Sequence, residues 1–504
     1  CYIETVIVEM RDINRPGTYY VQNAVPIREY SMVWNTPKYI ALEGKVSNMK
    51  EMARDSIIED RRFLTFVAKD VKALQDEDYC FSERNRGKLD LKYKKIENGI
   101  FREKLWADVA MNIYNNFFEE FDKNESGVKK FVKEMKLADL KSDKEKLFAL
   151  EDYFKRQIAV DPSYTSAKPT DVFKSKRANN FRRNQLFYWT LRVAEIPFEL
   201  VFTCEREMSR FDKDFASDAY LSMALIYFPQ QDMYMDLEDL GARAPVYDSQ
   251  SHGQDALFIK FVELGGNMSP VSSVKRIKTY PVDKNIIEEK YTVDFASGAA
   301  STVTKYHKSY TGNADQSLRF FAFMVSEEER TEQFEEMIKS GQPEATITDL
   351  EITNYNFEKM DEINAPFTVK AVVTGKDLLE FAGEKVIFKV GNVIGKQAEL
   401  YTEKPRQNPI NVEFLHSYRR TITVNIPEGK KFSGLDQLNR NVECKDGETV
   451  YGRFLSTYKV ENGQLVITIE ESYLALDLEL ALYEQFRAVI NAAADFNKID
   501  LILE

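Results

Sequence analysis

Four cysteines and three histidines are the side chains of this 504-residue sequence best suited to nucleophilic or acid–base work near neutral pH. They are Cys1, Cys80, Cys204 and Cys444, with His252, His307 and His416. Thiol catalysis needs a thiolate beside a base, with a third group orienting that base. Cys204, at the end of a predicted strand, and His252, beyond the next predicted hairpin, form the one pair that could be assembled this way. The competing account is that a lone strand cysteine serves as a small buried hydrophobe. His307 alternates within a predicted strand and His416 precedes one, so both read as ordinary strand or loop residues. Thiolate zinc sites and thioredoxin-type redox centres need closely spaced ligands such as CxxC. No CxxC, HxxxH or HxH spacing occurs, so neither a metal nor a cofactor is expected. The acidic run Glu327-Glu328-Glu329 reads as a solvated helix face.

Apolar residues make up 43% and charged residues 30% of the chain, an ordinary globular balance, and the length suggests about three domains. Phosphate-backbone affinity comes from clustered Lys and Arg. Here the net charge is −12, and Arg182-Arg183 and Arg419-Arg420 are pairs, not stripes, so no nucleic-acid partner is expected. No apolar run approaches the roughly 20 residues that a membrane-spanning helix needs. Cys1 leaves two readings open. A lipidated mature N-terminus would supply a lipid anchor, whereas a cut inside a longer protein would make Cys1 incidental. The alternating segment 2–10 follows with no flexible tether and favours the second.

The elements that must position any site follow from periodicity. Residues 1–100 read mainly as strands, with period-two stretches at 2–10, 19–25 and 89–96, punctuated by Arg15-Pro16-Gly17 and Asn98-Gly99. Segment 47–62 is polar and reads as a short helix or an exposed loop. From residue 101 the spacing becomes helical through Leu105, Trp106, Val109, Ile113, Phe117 and Phe121. A second helix follows near 128–135, and a third starts after the cap candidate Ser142-Asp143. A helix over 180–194 leads through Ile196-Pro197 into a strand, a polar loop at 205–218, and a strand at 220–228. The turn Pro229-Gln230-Gln231 then returns the chain through Met233-Tyr234-Met235-Asp236. Helices followed by an antiparallel hairpin predict an α+β domain. Beyond 285, strands at 291–295, 300–307, 346–357, 367–374 and 385–390 surround a Glu-rich helical insert over 316–338. Asp446-Gly447 and Asn462-Gly463 mark two hairpins, and Leu482, Phe486, Val489, Ile490 and Ala493 a closing amphipathic helix before a last strand at 499–503.

Pro169-Thr170-Asp171-Val172-Phe173, together with the helix end Leu191-Arg192-Val193-Ala194-Glu195-Ile196-Pro197-Phe198-Glu199-Leu200-Val201, resembles the core of transglutaminase-like proteins. In that superfamily a Gly-x-Cys motif opens the helix, a histidine begins a strand, and an aspartate follows on the neighbouring strand in a Tyr-x-Asp setting. The arrangement suits the chemistry, because a helix N-terminus stabilises the thiolate while the histidine takes its proton and the aspartate orients the histidine. Carried over to this sequence, the nucleophile position falls on Asn180, about three helical turns before Arg192. The histidine position falls on Ser222 or Met223. Only the aspartate position keeps its residue type, as Asp236 in Tyr234-Met235-Asp236. The resemblance therefore implies a degenerate triad, with Cys204 and His252 as the rearranged alternative.

The flanks are similar to the β-rich domains of unknown function that bracket this core in envelope proteins of the Bacteroides group. The matching pieces are Arg406-Gln407-Asn408-Pro409-Ile410, the strand Thr421-Ile422-Thr423-Val424-Asn425-Ile426-Pro427-Glu428-Gly429 and the closing helix and strand. The expected architecture is α+β and multidomain. It has an N-terminal β-sandwich over 1–100, a central papain/transglutaminase-like core over 101–262, and a β-rich, sandwich-like region over 263–504. The resemblance implies a periplasmic or outer-membrane-associated address. Three functions remain open: a non-catalytic protein binding or scaffolding a peptide, protein or glycan; a cysteine protease, amidase or acyl transferase with a rearranged site; and an accessory protein of an envelope transport or polysaccharide-use system.

Overall fold

The computed structural model describes every residue except 1–3, 10–16, 98–99, 166–167, 266, 297–298, 358, 384 and 402–403. Cys1, Arg15-Pro16 and the Asn98-Gly99 turn signal thus lie outside the described residues. The chain is a mixed α+β protein with many sheets, and it divides into two compact units. The first comprises 1–77, 81–238 and 250–278; the second comprises 78–80, 239–249 and 279–504.

The first unit begins with two three-stranded sheets. One orders Thr18–Tyr20, Lys88–Tyr93 and Leu42–Ser47, and the other Ile27–Pro37, Arg61–Val71 and Arg54–Ile58. Leu42, Leu89 and Leu91 of one meet Leu64, Phe66 and Ala68 of the other in a shared apolar layer. Two expectations need correction. Residues 4–9 are exposed and belong to no strand, because alternation specifies a strand only when a neighbouring edge accepts its backbone. Segment 47–62, expected as helix or loop, contains the strand Arg54–Ile58, whose partner is Arg61–Val71. The turn between them places Glu59 at a φ of 57°.

Four main helices follow: Trp106–Phe118, Phe121–Glu134, Asp143–Asp152 and Asn180–Val193. The last, hereafter the core helix, is buried almost continuously from Arg183 to Leu191, as expected of a helix wrapped on all sides. Trp189 Nε1 donates to Phe117 O at 2.7 Å, and the Phe187 and Phe154 rings meet edge to face at 5.1 Å. A five-stranded antiparallel sheet completes the unit. Its order is Met233–Met235, Met223–Phe228, Glu199–Thr203, Asp255–Leu264, Asn267–Arg276. The strand expected at 220–228 starts only at Met223, because Asp218–Tyr220 forms a 3₁₀ turn capped by Ser217.

The second unit is built on an eight-stranded sheet in the order Thr346–Thr353, Phe367–Gly375, Thr302–Tyr310, Ile286–Phe295, His416–Asn425, Gln464–Tyr473, Thr449–Glu461, Arg440–Asp446. All neighbours are antiparallel except Ile286–Phe295 with His416–Asn425. Alternation sets its faces, as when Phe367, Val369, Ala371 and Val373 are buried in turn. Helix Tyr483–Phe496 packs Phe486, Val489, Ile490 and Ala493 into one core. The insert expected over 316–338 is two helices, Asn313–Met324 and Glu327–Ile338. Ser326 accepts from Glu329 N at 3.2 Å and Glu329 answers at Ser326 N, a reciprocal cap that stops one helix and starts the next.

Four charges lie across the interior of this sheet. Lys308 and Arg420 each stand opposite Glu289, on the two strands that flank it. Glu471 is diagonal to them on the following strand. Arg420 Nε bonds Glu289 at 2.8 Å, Arg420 Nη1 bonds Glu471 at 2.6 Å, and Lys308 reaches Glu289 at 2.7 Å. Arg420 and both glutamates are buried on the same face as Ile422, Val424 and Val293. Alternating signs with hydrogen bonds to each charge are what permit such burial.

Candidate functional site

The core helix begins by capping. Asn179 has extended backbone angles, and its Oδ1 accepts from Arg182 N at 2.8 Å, satisfying one of the orphan amides of the first turn. Asn180 is therefore the first helical residue, and it is exposed. The helix-end field there would favour a thiolate, but the side chain present is a neutral amide. Ser222 immediately precedes the strand Met223–Phe228, and Met223 opens it. That strand pairs with Met233–Met235 in the register Ile226↔Met235, so Asp236 stands one step beyond the last pair. Asp236 is buried, and its Oδ1 accepts from Glu238 N at 2.9 Å.

The core helix meets this same segment in its second turn. Asn184 Nδ2 donates to Glu238 Oε1 at 2.5 Å. Arg183 is fully buried; burial lowers its pKa, against the attraction of Glu238 and Asp236. None of its three guanidinium nitrogens has a hydrogen-bond partner among the described residues, and neither has Asn184 Oδ1. The helix start and Asp236 are thus brought to one place, but the groups that meet are Arg183, Asn184, Asp236 and Glu238. Sequence reasoning missed Arg183 and Asn184 in this role. The available signal was the polar run Arg182-Arg183-Asn184-Gln185 at the head of a helix that is apolar and aromatic from Leu186 to Trp189.

Cys204 follows the strand Glu199–Thr203 and is 2% exposed. Its thiol lies 3.6 Å from Ser209 O, and Gln254 Nε2 donates to the sulfur at 3.6 Å while also bonding Cys204 O at 2.7 Å. Burial pushes the thiol up to about 11, outweighing the Gln254 hydrogen bond. Near neutral pH the group is the protonated thiol, the unreactive form. His252 is completely buried, but the group at the sulfur is Gln254, two residues further on. His307 and His416 belong to the second unit. Burial lowers the pKa of both, and His416 Nδ1 lies 2.8 Å from Phe414 O. Glu327, Glu328 and Glu329 form the first turn of their helix, where carboxylates complement the helix dipole.

Among the described residues no cluster of three or more His, Cys, Asp or Glu is arranged to hold a metal ion. No described helix is long and apolar enough to cross a membrane.

No family model and no curated protein matches the chain. Among solved structures it is similar to the crystal structure of a putative protease from Parabacteroides distasonis, with a TM-score of 0.55. The match covers 97% of this chain and 75% of that one at 12% sequence identity. What the two share is a fold. Identity this low carries no catalytic residue from one chain to the other.

Proposed function

We propose that this chain is a non-catalytic protein of transglutaminase-like fold, acting in the cell envelope by binding or scaffolding an extended peptide. The observation that carries the reading is the residue type at the helix start, together with the burial of the nearest thiol. The exposed helix start holds Asn180, and the nearest thiol in the sequence, Cys204, is buried against Gln254. A scaffold of this kind can keep a recognition surface after its chemistry is lost. Glu238, exposed beside the second turn of the core helix and tied to Asn184, marks the surface offered. The cell-envelope address rests on the resemblance of the flanking β regions.

The test is turnover. Peptide and glutamine-amide substrates incubated with the full chain should release neither new amine termini nor ammonia, and Cys204→Ala should behave as wild type. Turnover that disappears in Cys204→Ala would overturn the proposal in favour of a cysteine hydrolase with a rearranged site. The likeness to a putative protease is the observation that favours this second reading. Under it, Cys204 would have to be labelled by a thiol-directed probe in the folded protein.

A further inference from the structure

The second unit contains a cavity of about 400 Å³, within the range of small-molecule sites. It opens beside the start of helix Asn313–Met324, which contributes Asp315, Gln316 and Arg319. Every lining residue belongs to the second unit, so the argument is independent of the function proposed above.

The wall groups sort into those already spent on the protein and those still available. Arg319 is spent, donating to Asn354 O, Glu362 O, Ala365 O and Asp315 Oδ2 at 2.6–2.8 Å. Gln316 bonds Asp239 at 2.9 Å and Asn313 at 3.3 Å, and Thr311 donates to Lys284 O at 2.9 Å. Asp315 is different. Its Oδ2 takes Arg319, Oδ1 has no hydrogen-bond donor among the described residues, and the side chain is 15% exposed. At the exposed rim, Asp283 offers a carboxylate, Lys284 an ammonium and Asn364 an amide, none of them in an ion pair among the described residues. Tyr280, Ile363 and Pro366 add apolar faces.

Three properties of the occupant follow. Charge is nearly balanced, with Asp283 and Asp315 against Arg243, Lys284 and Arg319, so no strong field selects an anion or a cation. Acceptors and donors both remain open within one small space, which suits hydroxyl groups because each can donate and accept. A purely apolar guest would leave Asp315 Oδ1 desolvated without a donor of its own, a costly outcome. A compact ring carrying hydroxyls on its edge and C–H groups on its faces meets all three conditions.

We propose that this cavity binds a single neutral sugar unit, with Asp315 Oδ1 accepting from a ring hydroxyl and Lys284 and Asn364 contacting others at the rim. Saturation-transfer NMR and calorimetry on the full chain with glucose, galactose and N-acetylglucosamine test it, with lysine and glycine as charged and zwitterionic comparisons. At least one sugar should bind and neither amino acid should. Val246→Trp, which adds bulk to the cavity wall and leaves the Asp315 residue type unchanged, should abolish binding. Asp315→Asn keeps a partner for Arg319 but removes the charged acceptor, and should weaken binding about tenfold or more. Absence of binding by all three sugars, sugar binding that persists in Val246→Trp, or preferential binding of an amino acid would each overturn the proposal. Circular dichroism of both variants separates loss of the site from loss of fold.

Discussion

Arg183→Met should stabilise the first unit, although it deletes a buried, fully enclosed side chain. Three guanidinium nitrogens lie in the interior with no hydrogen-bond partner among the described residues. An unpaired buried charge costs several kcal/mol after relaxation, because its hydration is lost and nothing replaces it. The offset comes from the attraction of Glu238 and Asp236. At an effective dielectric constant of about 20, unit charges about 6 Å apart attract by about 3 kcal/mol. The exposed position of Glu238 reduces its share. Met has a similar unbranched stem and needs no partner, while Asp236 keeps the Glu238 N–H. The expected net gain is about 1–3 kcal/mol. For a unit of this size that raises its melting temperature by roughly 2–4 °C per kcal/mol. Denaturant unfolding read by tryptophan fluorescence isolates the effect, since Trp34, Trp106 and Trp189 all lie in the first unit. A loss of about 1 kcal/mol or more in Arg183→Met, restored by Arg183→Lys, would refute the reasoning. It would mean that the cation is paired in the folded protein and serves as structure.

Arg420→Met should destabilise the second unit by about 3–5 kcal/mol, because it strands Glu289 and Glu471 in the interior; calorimetry that finds a change below about 1 kcal/mol would contradict the ion-ladder account. Asp315 is pushed up to about 6 by burial, which outweighs the neighbouring Arg319. Asp283, Lys284, Arg243 and Tyr280 also line its cavity. With its folded pKa above the unfolded one, Asp315 favours folding fully below about pH 4, and that contribution is lost as pH rises through about 6. Its span is about 2–3 kcal/mol, so urea midpoints from pH 4 to 7 should fall less in Asp315→Asn than in wild type, and identical slopes would disprove it. Gly391→Ala should lower the melting temperature of the second unit sharply, since a Cβ there would stand 2.2 Å from Phe496 O and 2.5 Å from Asn497 O. These backbone atoms are fixed by the closing helix and cannot yield as a flexible side chain would. A melting temperature within about 1 °C of wild type would refute that contact.

The parts of the fold legible in the sequence are those whose signals are local. Helical spacing around the core helix, the Asn462-Gly463 hairpin with both residues at positive φ, and the amphipathic stripe of the closing helix each depend on a few consecutive residues. The cap that divides 313–324 from 327–338 is equally local, since Ser326 and Glu329 have the spacing of a capping box, yet the expectation of one insert over 316–338 passes over it. Strand 54–58 was not legible, because all five of its residues are exposed and no apolar alternation marks it. Nor was the ladder of Lys308, Glu289, Arg420 and Glu471. A charge in a strand reads as solvent-facing until the register of its neighbours is known, and here the register spans four strands brought together from distant parts of the chain.

The candidate site divides along the same line. Spacing along one helix and one hairpin predicted that Asn180 opens a helix and that Asp236 follows a strand, because each lies at the end of a regular element. It could not identify Arg183 and Asn184 as the helix residues that face Asp236 and Glu238, since that depends on how the helix is rotated about its axis. One residue is about 100° of rotation, so an assignment correct to the nearest turn can still name the wrong side chain. The rotation matters for function as well as for bookkeeping. An exposed amide at Asn180 costs the fold little, whereas an unpartnered guanidinium at Arg183 is expensive to keep. Residues retained at a cost in stability tend to mark places where function constrains the sequence. If Arg183→Met proves more stable, the search for a bound peptide should centre on the exposed Glu238, beside the helix turn that holds Arg183 and Asn184.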